Sequence, residues 1–431
     1  MIRRFLPLIV LVALFPASEA GAVYDLFATR STAALLPAGI LGVAGDERLS
    51  TELATVRQVL MSDLRRSGVF RPRDLELHIP DSPDVSLGRI RIRETGLKEA
   101  VDLMVWVQLT HEGGRYTLEG HVYDTARGNL IVGKKYSGNE LMIRKMVHRF
   151  IGELIHHYTG EYGITRSRIA FVSDLTGSKE VYVMDYDGNA PTRRTADRGI
   201  ALTPDLSPDG SRILYASQKS GSWMIYETRV FDDRRSVSLK LPGLNIAPAW
   251  HPNGKGYALT ASKDGNREIY EVNGSRKLKR LTNHPAEDVS PTWSPKGKKI
   301  AFTSSRGGNP QIYVMNAHGG RPKRITFKGD YNTEPDWSPQ GDLIAFTCRR
   351  GNWFKICLTD PNGSGVLQLT HGEWDDESPS FSPDGRHIAF ASNRGGRQDI
   401  FMMDPDGSNA ERLTFNGANN TSPSWKGAGE P

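Results

Sequence analysis

The chain reads as an α+β protein: a small mixed α/β N-terminal domain followed by a six-bladed β-propeller of four-stranded blades, closed by the C-terminal strand. Three observations lead there. The turn Ser207-Pro208-Asp209-Gly210 returns, with its Pro and Gly kept, at 251–254, 294–297, 338–341 and 382–385. The apolar residue before each copy is Leu206, Trp250, Trp293, Trp337 and Phe381, with Trp425 closing a series spaced 43 or 44 residues apart. A second register, Tyr182, Tyr226, Tyr270, Tyr313, Cys357 and Phe401, keeps the same spacing. A period of about 40–45 residues, made of short strands and Gly-containing turns, is the mark of propeller blades.

The first elements do not repeat. Arg3 and Arg4, the apolar run 5–15 and Ser18-Glu19-Ala20 form a signal peptide over 1–20. The run is short of the ~20 residues a membrane-crossing helix needs, so no direct membrane span is expected. Residues 21–162 then make the N-terminal α/β domain with a mobile leading arm, and 163–431 the propeller. Residues 33–45 are apolar but rich in Ala, Gly and Pro, and suit either an opening strand or an adaptable arm. Leu49, Leu53, Val56, Leu60 and Leu64 recur at helical spacing until Gly68 stops the run. Strands are expected over 102–109, 116–123 and 129–135, and a last helix over 141–158. An antiparallel sheet backed by two helices lets each element bury one apolar face.

Within one repeat, four strands follow in order and are called A to D. Starting from Trp293 they are a short inner strand, then 299–304, 311–315 and 324–326. The Ser-Pro-x-Gly turn joins A to B, because Pro presets φ near −65° and Gly takes the positive φ of a tight turn. Complete A to D units begin at Leu206, Trp250, Trp293, Trp337 and Phe381. A unit with strands B, C and D but no A precedes them at 169–195. An A strand with nothing behind it, Ser422-Pro423-Ser424-Trp425, follows them. Joined, the two fragments make the sixth blade and remove the free edges of an open array. The blade opened by Leu206 is the weakest member, since its D strand lacks the Arg, Leu or Ile, Thr ending found at Arg280, Arg324 and Arg412.

Composition narrows the functional classes. The formal charge of +6 over 431 residues is scattered, and no zinc finger, P-loop or Gly-x-Gly-x-x-Gly fingerprint accompanies it, so no nucleic-acid partner is expected. His148, His156 and His157 lack acidic or Cys companions at ligand spacing and read as surface or junction residues. No metal, cofactor or catalytic residue is assigned. Cys348 and Cys357 could face each other across a hairpin, but the preceding repeat holds Ser304 and Tyr313 there, so a disulfide and two buried thiols both remain open.

The junction Tyr158-Thr159-Gly160-Glu161-Tyr162-Gly163-Ile164-Thr165-Arg166, leading into Ile169-Ala170-Phe171-Val172-Ser173, carries a family likeness. With the Ser-Pro-x-Trp-Ser-Pro-x-Gly, Ile-Ala-Phe and Ile-Tyr-x-Met repeats, Tyr123-Asp124 and Gly133-Lys134-Lys135-Tyr136, it resembles the TolB family of periplasmic Tol–Pal components. The likeness covers nearly the whole chain after the signal. The opening departs from it: Leu36-Pro37-Ala38-Gly39-Ile40-Leu41-Gly42-Val43 stands where the family has a Pro-Ile-Ala-Val-Pro-like strand. The resemblance implies a periplasmic adaptor that binds a Pal-like peptidoglycan-associated lipoprotein through the propeller and a TolA-like membrane-anchored protein through the N-terminal region. It also implies a part in outer-membrane integrity and in envelope constriction during cell division.

The residues themselves favour binding over catalysis. There is no Gly-x-Ser-x-Gly elbow, and only six residues follow Trp425. The alternatives are a secreted carbohydrate-active propeller enzyme and a small-ligand or Ca-binding sensor propeller. Loops from D to A and from B to C leave one side of a propeller, and A to B and C to D turns leave the other. Asn245, Asp288, Asn332, Asp376 and Asn420 precede the A strands and are expected as a partial ring near the channel. Arg306, Arg349 and Arg394, with Lys219, Lys263 and Arg350, are expected farther out, giving a patterned face for electrostatic recognition. Asn and Asp could equally cap the turns there. Val23, Tyr24, Leu26 and Phe27 are the candidate TolA-contact arm, able to add a strand to a partner's sheet edge.

Overall fold

The computed structural model describes residues 35–75, 92–95, 98–232 and 234–427. The expected signal peptide and the arm residues Val23, Tyr24, Leu26 and Phe27 lie outside the described residues. Among the described residues, no helix is long and apolar enough to cross a membrane.

The N-terminal part is a five-stranded sheet with two helices on one face. β1 (Leu36–Gly45) is an interior strand, lying between β2 (Phe70–Asp74) and β3 (Leu103–Glu112) and parallel to both. The all-antiparallel expectation therefore holds only for β3, β4 (Arg115–Asp124) and β5 (Asn129–Gly138). Helix α1 (Ser50–Arg66) is the crossover that makes the β1–β2 pair parallel, which a tight hairpin could not do. Helix α2 (Ile143–Thr159) ends at Gly160 in the left-handed region, a normal helix stop. Val56, Leu60 and Leu64 of α1 and Val147, Phe150, Ile151 and Leu154 of α2 share one core with the sheet. Gly120 of β4 is part of that fit, since a Cβ there would stand 2.6 Å from the Phe150 ring.

Six four-stranded sheets follow. Five have their strands in chain order, from an inner A strand outward. The sixth pairs β29 (Asn420–Lys426) with β6 (Arg168–Ser173), β7 (Glu180–Asp185) and β8 (Thr192–Arg193). Trp425 stands opposite Ile169, so the last described strand closes the ring as expected. The weak blade is complete too, its D strand running Arg235–Leu239.

The Arg, Leu or Ile, Thr ending has a structural reason. The Thr hydroxyls accept from the backbone N–H of the second C-strand residue: Ile269 to Thr282 at 2.9 Å, Ile312 to Thr326 at 2.9 Å and Ile400 to Thr414 at 3.0 Å. The same hydroxyls donate to the first C-strand side chain, as Thr282 does to Glu268 and Thr414 to Asp399. The second register is also explained. Tyr226, Tyr270, Tyr313 and Phe401 each lie under a B to C loop cation, from Lys219 at 4.0 Å to Lys263 at 5.4 Å. In the blade where Cys357 replaces the ring, Cys357 is bonded to Cys348 instead.

Each A strand contains one kink. Its third residue, in turn Thr203, Ala247, Ser290, Glu334, Ser378 and Ser422, has φ between 46° and 54°, and a Pro follows in every case. The pairing register slips there in all six A–B pairs. Proline is tolerated because strand A is the inner edge of its sheet and its kinked segment owes no hydrogen bond to a further strand.

Candidate protein-binding face

The N-terminal part occupies one end of the propeller, the end bearing A to B and C to D turns. Arg386, just past the last A to B turn, donates to the carbonyls of Gly68 at 2.8 Å and Ser67 at 3.2 Å. Arg66 pairs with Glu411 at 2.7 Å. Between these contacts lies a buried charged cluster that sequence reading did not foresee. His148 of α2 is 2.7 Å from Asp63 of α1 and 3.5 Å from Asp187 of a C to D turn. Tyr186 donates to Asp63, and Arg144 pairs with Asp187. Burial alone would push the His148 pKa down, but the two carboxylates outweigh it and carry it up to about 10. Asp187 is driven the other way, well below the usual carboxylate range, because His148 and Arg144 overcome its burial. Of the two places that the sequence allows for His148, surface or junction, the side chain takes the junction, where it is buried. The only sequence signal was a histidine on the apolar face of a helix.

The opposite end carries the D to A and B to C loops. The expected ring residues are at this end, at the first position of five A strands. They do not form an open ring of presented side chains. Asn245, Asp288, Asn332, Asp376 and Asn420 are all fully buried. Asn245 donates to the Trp223 and Leu241 carbonyls, both at 2.9 Å, Asn332 to Gln311 at 2.8 Å and Asn420 to Asp399 at 3.1 Å. Asp288 takes Arg306 at 2.6 Å, and Asp376 takes Arg394 at 2.8 Å and Lys355 at 3.5 Å. A short polar side chain at a strand start must satisfy loop backbone or a neighbouring cation, and here it is drawn inward to do so.

The outer cations are correspondingly muted. Arg306 and Arg394 turn in toward those carboxylates, Lys219 pairs with Asp197 at 3.3 Å, and Lys263 with Asp264 at 2.7 Å. Arg349 remains exposed, and Arg350 reaches the Cys357 sulfur at 3.4 Å. Among the charged residues that this face exposes, such as Arg198, Lys328 and Arg397, stand several large apolar ones. Leu175, Ile200, Phe327, Tyr331, Trp353 and Phe415 all lie in its loops or at their margins, and Phe327 and Phe415 are 65% and 74% exposed. Both Phe residues directly follow the D-strand Thr, at Thr326 and Thr414, and lie under Arg324 and Arg412. Their recurrence two periods apart, with His371 at the intervening position, was a signal available in the sequence.

At the axis, the kinked A strands surround a cavity of about 140 Å³. Its polar groups stitch neighbouring blades. Asp205 accepts from the Trp250 N–H at 2.7 Å, Asp336 from that of Phe381 at 2.8 Å, and Ser380 from that of Trp425 at 3.0 Å. Lys426 crosses one end, 3.7 Å from Asp336 and 4.0 Å from Asp205. Toward the free face, Glu377 has its pKa pushed up to about 7 by burial and by the charges of Glu334, Asp375 and Asp376.

The family model of the TolB beta propeller domain matches residues 155–383 and 363–431. The chain belongs to the TolB family. A "Tol-Pal system protein TolB" of Desulfosudis oleivorans is 39% identical over 210 residues, covering 48% of this chain and 47% of the relative. A "Protein TolB homolog" of Chlorobium chlorochromatii is 41% identical over 181 residues, covering 42% of this chain and 41% of that one. The chain thus spans about half the length of the curated relatives it matches. The crystal structure of TolB from Acinetobacter baumannii superposes with a TM-score of 0.75 at 28% identity, covering 91% of this chain and 97% of that one.

Proposed function

We propose that this chain is a non-enzymatic periplasmic adaptor of the Tol–Pal system, working in two parts, 21–162 and 163–431. The propeller binds a Pal-like lipoprotein on its D to A and B to C loop face. The N-terminal region, through Val23, Tyr24, Leu26 and Phe27, contacts a TolA-like protein. The cellular role is to support outer-membrane integrity and envelope constriction during division.

One observation carries the propeller assignment: six exposed large apolar residues share the end that the N-terminal part leaves free. Large apolar side chains exposed at one end, with Phe327 and Phe415 under Arg324 and Arg412, suit contact with a protein partner. The buried Asn and Asp residues support the loops that present these side chains, and Arg349 is exposed at the same end.

The test is Phe327→Asp with Phe415→Asp, two exposed sites whose change spares the core. Capture of a purified Pal-like lipoprotein should weaken at least about tenfold, near 1.4 kcal/mol, while the melting temperature stays put. Unchanged affinity in this variant would move the interface off this face. Removing residues 21–32 should separately abolish capture of a TolA-like domain and spare Pal-like binding.

A further inference from the structure

A cleft of about 420 Å³ lies between helix α2, the segment joining it to β6, and the turn end of the first two blades. Four Lys and Arg side chains line it, together with the protonated His148 described above. Lys145 and Arg149 are exposed, one turn apart on α2, and neither forms an ion pair among the described residues. Like charges at that spacing repel each other mildly and are relieved by an anion. Arg168 lies over the Phe231 ring at 4.7 Å, and Phe231 is exposed.

Arg166 is the decisive group. Its side chain is 8% exposed, and one terminal nitrogen pairs with Glu153 at 2.8 Å. Its Nε and Nη1 are buried with no hydrogen-bond partner among the described residues. Buried guanidinium N–H groups without an acceptor are costly. The carboxylates in the cleft do not supply one. Asp185 is 3.5 Å from Arg168, and Asp209 is held by Ser207 and by the Ser211 N–H. A volume of this size falls in the range of small-molecule sites.

We propose that this cleft binds a small, multiply charged oxyanion carrying an apolar portion. The anionic end is held by Arg166, Lys145 and Arg149, and the apolar portion rests against Phe231 and Met142. Guanidinium groups suit this ligand because their planar forks match carboxylate and phosphate oxygens. The site is independent of the propeller face proposed above, and its ligand bridges both parts of the molecule.

The test is calorimetric titration of the mature chain with citrate, inorganic phosphate and phenyl phosphate. Saturable binding of at least one is expected. If a phosphate binds, phenyl phosphate should be several-fold tighter than inorganic phosphate, and Phe231→Ala should remove that preference. Citrate binding alone would assign the site to carboxylates. Lys145→Glu with Arg149→Glu alters only exposed side chains and should weaken the bound anion at least about tenfold, with the melting temperature unchanged. Arg166→Gln should weaken it as well, and its folding is checked by the same melt. No saturable heat with any of the three anions would overturn the proposal. So would wild-type affinity in the Lys145/Arg149 variant.

Discussion

The indole N–H of Trp425 donates to the Ser167 hydroxyl at 2.8 Å, joining the last strand of the propeller to the residue just before its first. Trp425 is fully buried, and its neighbours include Ile169, Phe171 and Met402. The bond and the packing belong to one device, the closure of the ring.

Trp425→Ala should therefore cost about 3–5 kcal/mol, the usual penalty for emptying a buried aromatic site. Urea unfolding measures it as a lower midpoint. Deleting 422–431 should cost more, because the inner edge of β6 then loses its partner strand. A truncated chain with the wild-type midpoint and slope would contradict the closure.

Asp288→Ala with Asp376→Ala should destabilise the propeller. Each change strips a partly buried Arg of its carboxylate, a loss of about 1–3 kcal/mol per site. Thermal melting is the measurement. Asn in place of Asp should recover part of the loss, since it keeps an acceptor for the guanidinium.

The His148 cluster predicts a pH dependence. His148 is protonated in the folded protein up to about pH 10, against an ordinary value of 6.5. A folded pKa raised above the unfolded one gives stability that is full below pH 6.5 and is lost as pH rises to 10. The groups facing it are Asp63, Asp187, Tyr186 and Arg144. Denaturant midpoints at pH 6, 8 and 10 should fall more steeply for wild type than for His148→Gln. Parallel curves would show that the imidazolium contributes nothing.

Glu377 predicts a slope in a lower window. Its folded pKa is about 7, above the ordinary 4.5, so the native state holds this proton longer than the unfolded chain does. Its contribution is full below pH 4.5 and disappears as pH rises through 7. Glu377→Gln should remove that part of the decline and leave the protein more stable than wild type at pH 8. A variant less stable than wild type at pH 8 would assign the carboxylate a favourable role.

The propeller was legible because it is periodic. Trp293 and Trp337, or Tyr270 and Tyr313, announce their places by spacing alone, and the unpaired fragments at 169–195 and 422–425 imply the closing blade. The N-terminal sheet was less legible. β1 is apolar, but nothing local to it says that it runs parallel to two neighbours, and Pro72 disguises the short edge strand β2. The ring residues show a different limit. Their positions were readable from the register, but a short polar side chain at a strand start serves a partner or its own loop equally well in one dimension. Only the approach of Arg306 to Asp288 decides. The Asp63–His148–Asp187 cluster joins two helices and a turn from separate parts of the chain, and has no local signature.

Ring closure also sets an order of events. Ser167 and Trp425 are 258 positions apart, so the contact that completes the molecule is among the most distant the chain makes. Five blades can finish as their own residues emerge, since each holds all four strands within one stretch of sequence. The blade that emerges first must wait, three strands wide with its inner edge bare, until the end of the chain arrives. Long-range pairing of this kind is slow, and an uncovered strand edge invites the wrong neighbour meanwhile. A chain cut short before Trp425 never leaves that state.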